Sequence, residues 1–174
     1  MKRKNINPKT FRITLCALLI SLAFLLSYVE SLIPAFLIVP GVKLGLANLV
    51  VFAALYLLGW KAALRISVVR TILVSFTFGN LFAFVYSLVG GLLSFGGMCL
   101  CKKLGCGKIA VSMIGGVLHN IGQILTAAVL LETSAILSWL PVLFLSGSAA
   151  GALIGLAGGL VLIRVEPHVR KKYV

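Results

Sequence analysis

Acidic side chains are nearly absent from this sequence. Among 174 residues there are only three glutamates and no aspartate, against 16 lysines and arginines. The Asp-rich motifs that hold magnesium on a diphosphate substrate therefore cannot form. The apolar segments contain no carboxylate, and this disfavours the usual site of proton- or sodium-coupled carriers.

A nucleotide-binding loop is missing as well. Residues 104–109 read LGCGKI, which lacks the first glycine of GxxxxGK[ST] and the hydroxyl after the lysine. The cysteines do not have the CxxC spacing of a zinc site, so we expect reduced thiols and no metal. These absences predict that the chain is not an enzyme by itself. It has no catalytic residue and no cofactor, and any energy comes from partner subunits.

What the sequence does contain is apolar surface. Hydrophobic residues make up 61% of the chain and charged residues 11%, and no soluble domain of this size hides that much apolar surface. A helix needs about 20 mostly apolar residues to cross the hydrocarbon layer. We therefore predict an all-α integral membrane protein, a six-helix bundle in a single domain over residues 1–174. The expected spans are residues 11–29, 43–58, 62–78, 81–100, 109–131 and 137–163.

Positive charge indicates the orientation of the bundle. If the N-terminus is cytoplasmic, nearly all lysines and arginines near helix ends lie on the inner side, and only Lys43 lies outside. This pattern predicts a multi-pass protein of the cell membrane with both termini cytoplasmic. The net charge of +13 then serves anchoring to the anionic lipid bilayer, and we expect no nucleic acid as a partner.

The first predicted loop, residues 30–42, is apolar although it contains Pro34 and Pro40. It is too short to span and too apolar to stand in water. We expect it to fold back over the outer mouth of the bundle.

Arg70 falls inside the third predicted span. It lies about 12 Å from the inner end of that span at 1.5 Å per residue, which is too deep for easy snorkelling. A guanidinium at this depth costs several kcal/mol unless it faces a cavity or a partner. We expect no carboxylate at its level, because Glu30, Glu132 and Glu166 fall at helix ends. A bound anion, carbonyl and amide oxygens, and snorkelling remain open as its compensation.

The fifth span contains a cluster of polar residues, His119, Asn120 and Gln123, which share one third of the helix circumference. Asn48 and Tyr86 are expected at a comparable depth in the second and fourth spans. Polar groups in hydrocarbon need partners. Either these residues line a ligand pocket, or they hold the helices together.

Small residues repeat at two places. Ala17 and Ser21, four residues apart in the first span, form a small patch that faces either the bundle or a partner subunit. A longer ridge in the last span lets another helix backbone approach closely, which we read mainly as packing within the chain. This glycine ridge consists of Gly147, Gly151, Gly155 and Gly159.

Two motifs carry a family resemblance over essentially the whole chain. The segment PGVKLGLANLVVFAALYLLGWK, followed by Arg70, and HNIGQ in the fifth span resemble the membrane family labelled both Gx transporter and heptaprenyl diphosphate synthase component I. The plan is also similar to the substrate-binding S components of energy-coupling factor (ECF) transporters. That resemblance implies that Ala17 and Ser21 dock a transmembrane coupling subunit, which works with ATPases. It also implies a link to isoprenoid quinone supply or to flavin-based extracellular electron transfer.

Three hypotheses follow. The first is an S-component-like subunit for uptake of a small anionic or aromatic molecule, such as a vitamin, flavin or quinone precursor. Arg70 would neutralise its charge, Tyr86 would stack on it, and the amides and the histidine would orient it. The second is a non-catalytic accessory subunit for heptaprenyl diphosphate or menaquinone biosynthesis, which recruits a soluble prenyl diphosphate synthase. The third is an assembly subunit that meets electron-transfer proteins through the glycine ridge.

Overall fold

The computed structural model describes residues 7–32 and 45–173 and, for the last helix, side chains as far as residue 169. Within these residues the chain forms six α-helices and one short 3-10 helix, so the predicted all-α class and helix number are confirmed. The α-helices are α1 (Pro8–Ser31), α2 (Leu46–Leu57), α3 (Trp60–Phe78), α4 (Leu81–Lys103), α5 (Lys108–Leu130) and α6 (Leu140–Tyr173), with the 3-10 helix (Ala135–Trp139) before α6. Most of the predicted loop over the mouth falls on residues 33–44, outside the described part of the chain.

The last helix is longer than its predicted span, which ended at residue 163. Helix α6 continues through Pro167 to Tyr173. The prediction stopped where the apolar run stops, since only an apolar segment can sit in lipid. A helix needs no lipid to continue, because arginine, lysine and glutamate are good helix formers in water.

Four helical segments of the described chain are long and apolar enough to cross a membrane: Pro8–Ser31, Leu81–Lys103, Lys108–Leu130 and Ala135–Val169. The chain therefore has the character of a membrane protein. The other two helices differ: α2 is apolar but has only 12 residues, about 18 Å against a hydrocarbon layer of about 30 Å. Helix α3 carries Lys61, Arg65 and Arg70. That these two helices also span, and that both termini are cytoplasmic, stay predictions.

Helix α2 lies at the centre of the bundle. It contacts α1, α3 and α6, and the side chains from Val50 to Leu55 are all buried. A helix that is apolar on every side is stable only where other helices surround it.

Glycines bring α5 into close contact with both of its neighbours. A Cβ at Gly151 would lie 2.6 Å from the Cα of Met113, and one at Gly122 would lie 2.8 Å from the Cα of Gly90. Gly147 and Gly155 face the backbone of α5 in the same way, whereas a Cβ at Gly159 would meet nothing within 4 Å. Most of the glycine ridge is thus covered by α5 and is not free to meet another subunit.

Lysine and arginine side chains join several helices at one end of the bundle, which we call the basic end. Arg12 of α1 donates to the carbonyl oxygen of Leu58 at 3.0 Å, and Lys102 of α4 donates to that of Leu55 at 2.7 Å. The ammonium groups of Lys102 and Lys108 lie 4.3 and 5.8 Å from the ring centre of Tyr56. The start of α1, the end of α2, the end of α4 and the start of α5 therefore meet here.

Candidate functional site

A cavity of about 390 Å³ lies inside the bundle toward the end opposite the basic end. We call it the polar cavity. Its walls include Glu30 in the last turn of α1, Gly45 before α2, Ser75 near the end of α3, and Ala83 in the first turn of α4. It extends along α4 as far as Met98. Five of the six predicted ligand residues line it: Asn48, Arg70, His119, Asn120 and Gln123.

Arg70 enters the polar cavity from α3 and is only weakly bound by the protein. Its Nη1 donates to Ser27 Oγ at 3.4 Å, a long hydrogen bond. Its Nε is buried and has no hydrogen-bond partner among the described residues. Since a guanidinium has five N–H donors, Arg70 retains capacity to bind another group.

The expectation that no carboxylate lies near Arg70 is wrong. Glu30 lines the same cavity and exerts an electrostatic attraction on Arg70. The two residues come together because Arg70 lies only about two turns before the end of α3, and that end packs on α1, where Phe78 meets Phe24 with ring centres 5.6 Å apart. Depth counted from one helix end did not show how near Arg70 is to the other end.

Glu30 is itself held by backbone. Its Oε1 accepts a hydrogen bond from the N–H of Gly45, the residue that precedes α2. Gly45 has a φ of +74°, a left-handed backbone conformation that favours glycine. Because a helix N-terminus stabilises negative charge, α2 compensates part of the charge of Glu30. Arg70 is therefore not fully neutralised by this carboxylate.

The polar residues of α5 have different surroundings. Asn120 joins α5 to α6, since its Nδ2 donates to the carbonyl oxygen of Leu143 at 2.8 Å and lies 3.5 Å from Ser146 Oγ. Gln123 is only 9% exposed, and its Nε2 has no hydrogen-bond partner within the described chain. Both proposed roles, linking helices and lining a pocket, are thus present in this cluster. Gln123, unlike Asn120, leaves a donor unused.

Buried hydroxyl groups are a part of the cavity that the sequence interpretation largely missed. Within its own helix the Thr71 hydroxyl donates to the carbonyl oxygen of Ser67 at 2.9 Å. Serine and threonine often bond in this way in helices without any ligand, so single hydroxyls carry no clear signal. The spacing of Ser67, Thr71 and Ser75 along one face of α3 was the available signal. The buried hydroxyl residues of the cavity are Ser27, Thr71, Ser75, Ser94 and Ser112.

Tyr86 does not line the polar cavity. It lies on a second cavity of about 490 Å³ between α4, α5 and the 3-10 helix, which we call the aromatic cavity. Phe82 and Trp139 line this cavity as well, and the rings of Phe82 and Tyr86 are 5.5 Å apart. The helix pattern predicted a depth for Tyr86 but not its direction around α4.

The small patch on α1 faces away from the bundle. Ala17 and Ser21 are both exposed, and Ser21 donates only to the carbonyl oxygen of Ala17 at 3.1 Å. Ile13 and Leu18 are exposed beside them. This face is open to lipid or to a partner helix, and docking of a coupling subunit there stays a prediction.

The polar cavity thus offers a guanidinium, amide groups and hydroxyls inside a helical bundle, together with the carboxylate of Glu30, which the N–H of Gly45 already binds. Its volume is within the range of about 300–1,000 Å³ that is usual for small-molecule sites. Such a set of groups is suited to binding a small anionic molecule through hydrogen bonds.

The comparisons with known proteins give one family. The family model described as heptaprenyl diphosphate synthase component I matches residues 19–161, which is most of the chain. The match includes α2 to α5 and the residues that line the polar cavity. Neither a curated protein nor a solved structure matches the chain.

Proposed function

Because this chain belongs to the heptaprenyl diphosphate synthase component I family, we propose that it is a non-catalytic membrane subunit that captures a small anionic molecule in the polar cavity. Partner subunits would supply the energy for uptake, as in S components. The family description, component I, supports a role as one subunit among several. The cavity supports the choice of ligand.

The observation that carries this proposal is the incomplete hydrogen bonding of Arg70. A buried polar group without a partner costs about 1–3 kcal/mol, and more when the group is charged. At the basic end the same chain gives Arg12 and Lys102 short bonds to carbonyl oxygens. An anion bound at Arg70 would accept hydrogen bonds from the guanidinium beyond the one that Ser27 accepts and would add to the attraction from Glu30.

The direction of capture follows from the charge distribution. The polar cavity lies toward the end of the bundle opposite the basic end. If the basic end faces the cytoplasm, as positive charge near helix ends predicts, the cavity is reached from outside.

Native mass spectrometry of the detergent-purified protein tests this function. We expect the wild-type protein to carry a small anionic molecule and Arg70→Gln to have lost it. Arg65→Gln is the matched control, since Arg65 is on the same helix but exposed, where its Nε donates to the carbonyl oxygen of Lys61 at 3.1 Å. A wild-type protein with no adduct after addition of anionic metabolite extracts, or an adduct of equal abundance in Arg70→Gln, contradicts the proposal.

A second candidate function is favoured by the family description itself. In this reading the chain recruits a soluble prenyl diphosphate synthase to the membrane through the basic end. Lys102 and Arg12 are bonded within the chain and are poor candidates for such contacts. The exposed cations are the better ones: Lys61, Arg65, Lys103 and Arg164.

Co-expression with a candidate synthase separates the two functions. Recruitment predicts that replacing the exposed cations of the basic end lowers product yield, while Arg70→Gln leaves the yield unchanged. Capture predicts that Arg70→Gln lowers ligand binding, while replacing the exposed cations of the basic end leaves ligand binding unchanged. A yield that is insensitive to all of these changes would reject recruitment.

A further inference from the structure

The polar cavity and the aromatic cavity meet at shared residues. Ala83, Asn120 and Gln123 line both of them. Asn120 and Gln123 are one turn apart on α5, so their amides lie on the same side of that helix. From α4, Ala83 lines both cavities as well, and its side chain is a single methyl group. The residues that line both cavities are thus two with amide side chains and one with a small side chain.

The two cavities differ in chemistry. The polar cavity has Arg70, Glu30 and buried hydroxyls, whereas the aromatic cavity is lined mainly by carbon: Phe82, Tyr86, Ile124, Ala127, Trp139 and Leu143. A purely polar ligand would leave the aromatic cavity empty. A purely apolar ligand would leave the donors of Arg70 unpaired.

Gln123 is the polar residue of interest where the polar cavity and the aromatic cavity meet. Its side chain is nine-tenths buried at the boundary, and its Nε2 has no partner among the described residues. Such a group is costly unless a ligand accepts its hydrogen bond. An acceptor placed at the boundary would belong to a molecule that enters both spaces.

We infer that the two cavities form one site for an amphipathic anion, with its charged head at Arg70 and its apolar body between α4 and α5 in the aromatic cavity. This inference rests on the proposed capture function and narrows its ligand class. A free amphiphile and an anionic membrane lipid share this chemistry. Ala83 and Gln123 lie where the head joins the body.

Trp139 supplies a reporter for the body of the ligand, because it lines the aromatic cavity. In a Trp60→Phe protein Trp139 is the one remaining tryptophan. The protein in phosphatidylcholine nanodiscs would be titrated with dodecyl phosphate, methyl phosphate and dodecanol. Tryptophan fluorescence and calorimetry are read in parallel, and empty nanodiscs are subtracted.

We expect dodecyl phosphate to bind at least about tenfold more tightly than methyl phosphate, because burial of its chain adds apolar contact. Only the long-chain ligands should change the fluorescence of Trp139. Arg70→Gln should weaken both phosphates, and Ala83→Phe, which narrows the junction, should weaken dodecyl phosphate alone. The exposed Phe76→Ala is the control that should change neither. Nanodiscs containing phosphatidylglycerol distinguish the sources: competition identifies a membrane lipid, and no competition identifies a free amphiphile.

Equal affinity for methyl and dodecyl phosphate, both dependent on Arg70, would overturn the inference and leave the capture function intact. Binding of dodecyl phosphate that is unaffected by Arg70→Gln would also overturn it. No binding of either phosphate would contradict the capture of a phosphate-type anion and the inference together.

Discussion

The two ends of this bundle treat positive charge in opposite ways. At the basic end, Arg12 and Lys102 donate to carbonyl oxygens at the C-terminus of α2, and Lys102 also covers the ring of Tyr56. Toward the other end, Arg70 has one long bond to Ser27 and a buried Nε without a partner among the described residues.

The difference separates structural cations from a binding cation. A helix C-terminus has unsatisfied carbonyl groups and a partial negative charge, so cations there stabilise the fold. Arg70 instead lies in the middle of α3 and lines the polar cavity. Substitutions at the two ends should therefore affect different measurements.

The largest effect is expected at Arg70. Arg70→Gln should weaken binding of an anionic probe such as dodecyl phosphate by about 100-fold, since charge-assisted hydrogen bonds contribute about 1.5–3 kcal/mol. Arg70→Lys should keep part of the affinity, because lysine keeps the charge but not the planar fork. Calorimetry in nanodiscs measures both. Equal affinities for wild type and Arg70→Gln would remove the distinction between the two ends.

Replacing Gln123 should have a smaller effect on binding than replacing Arg70. It should weaken probe binding but stabilise the free protein. Gln123→Leu removes a buried donor that has no partner in the described structure, so the melting temperature of the free protein should rise by about 2–4 °C. Binding of the same probe should weaken by about tenfold, because one hydrogen bond to the ligand is lost. Asn120→Leu is the contrast: it breaks the bond to Leu143 and should lower the melting temperature. A Gln123→Leu protein that melts lower would mean that the amide has a structural role.

Lys102 tests the basic end. Lys102→Met keeps the aliphatic stem but removes the bonds to Leu55 and the Tyr56 ring, so the melting temperature should fall by about 2–4 °C, which corresponds to about 1 kcal/mol. Probe affinity should stay within twofold of wild type. The exposed neighbour Lys103 is the control, and Lys103→Met should change neither quantity. A large loss of affinity in Lys102→Met would show that the two ends are coupled.

Ser27 should give the smallest effect. Its hydroxyl donates to the carbonyl oxygen of Ala23 at 2.9 Å and, among the described residues, accepts the long bond from Arg70. Ser27→Ala should change probe affinity by about two- to threefold, with Ser21→Ala on the exposed face as control. A loss as large as that of Arg70→Gln would mean that Ser27, and not the ligand, holds the guanidinium in place.

The sequence was sufficient for the helices and for the main residues of the polar cavity. Apolar runs divided by glycine, proline and charge gave six helices, since these residues end helices for local reasons. His119, Asn120 and Gln123 were found because a helix period places them on one face. Arg70 was found because a charge in an apolar run is conspicuous.

What the sequence could not give depends on contacts between helices. The approach of Glu30 to Arg70 follows from how the ends of α1 and α3 pack, and the direction of Tyr86 follows from the rotation of α4 against α5. The burial of α2 was also not evident, because an apolar helix at the centre of a bundle and one in lipid have the same composition.

The most direct test is a structure of the protein determined with dodecyl phosphate present. We expect phosphate oxygens about 2.7–2.9 Å from the guanidinium nitrogens of Arg70, with the alkyl chain beside Tyr86 and Trp139. Density for the phosphate at the basic end, with the Arg70 side chain still bonded only to Ser27, would contradict it.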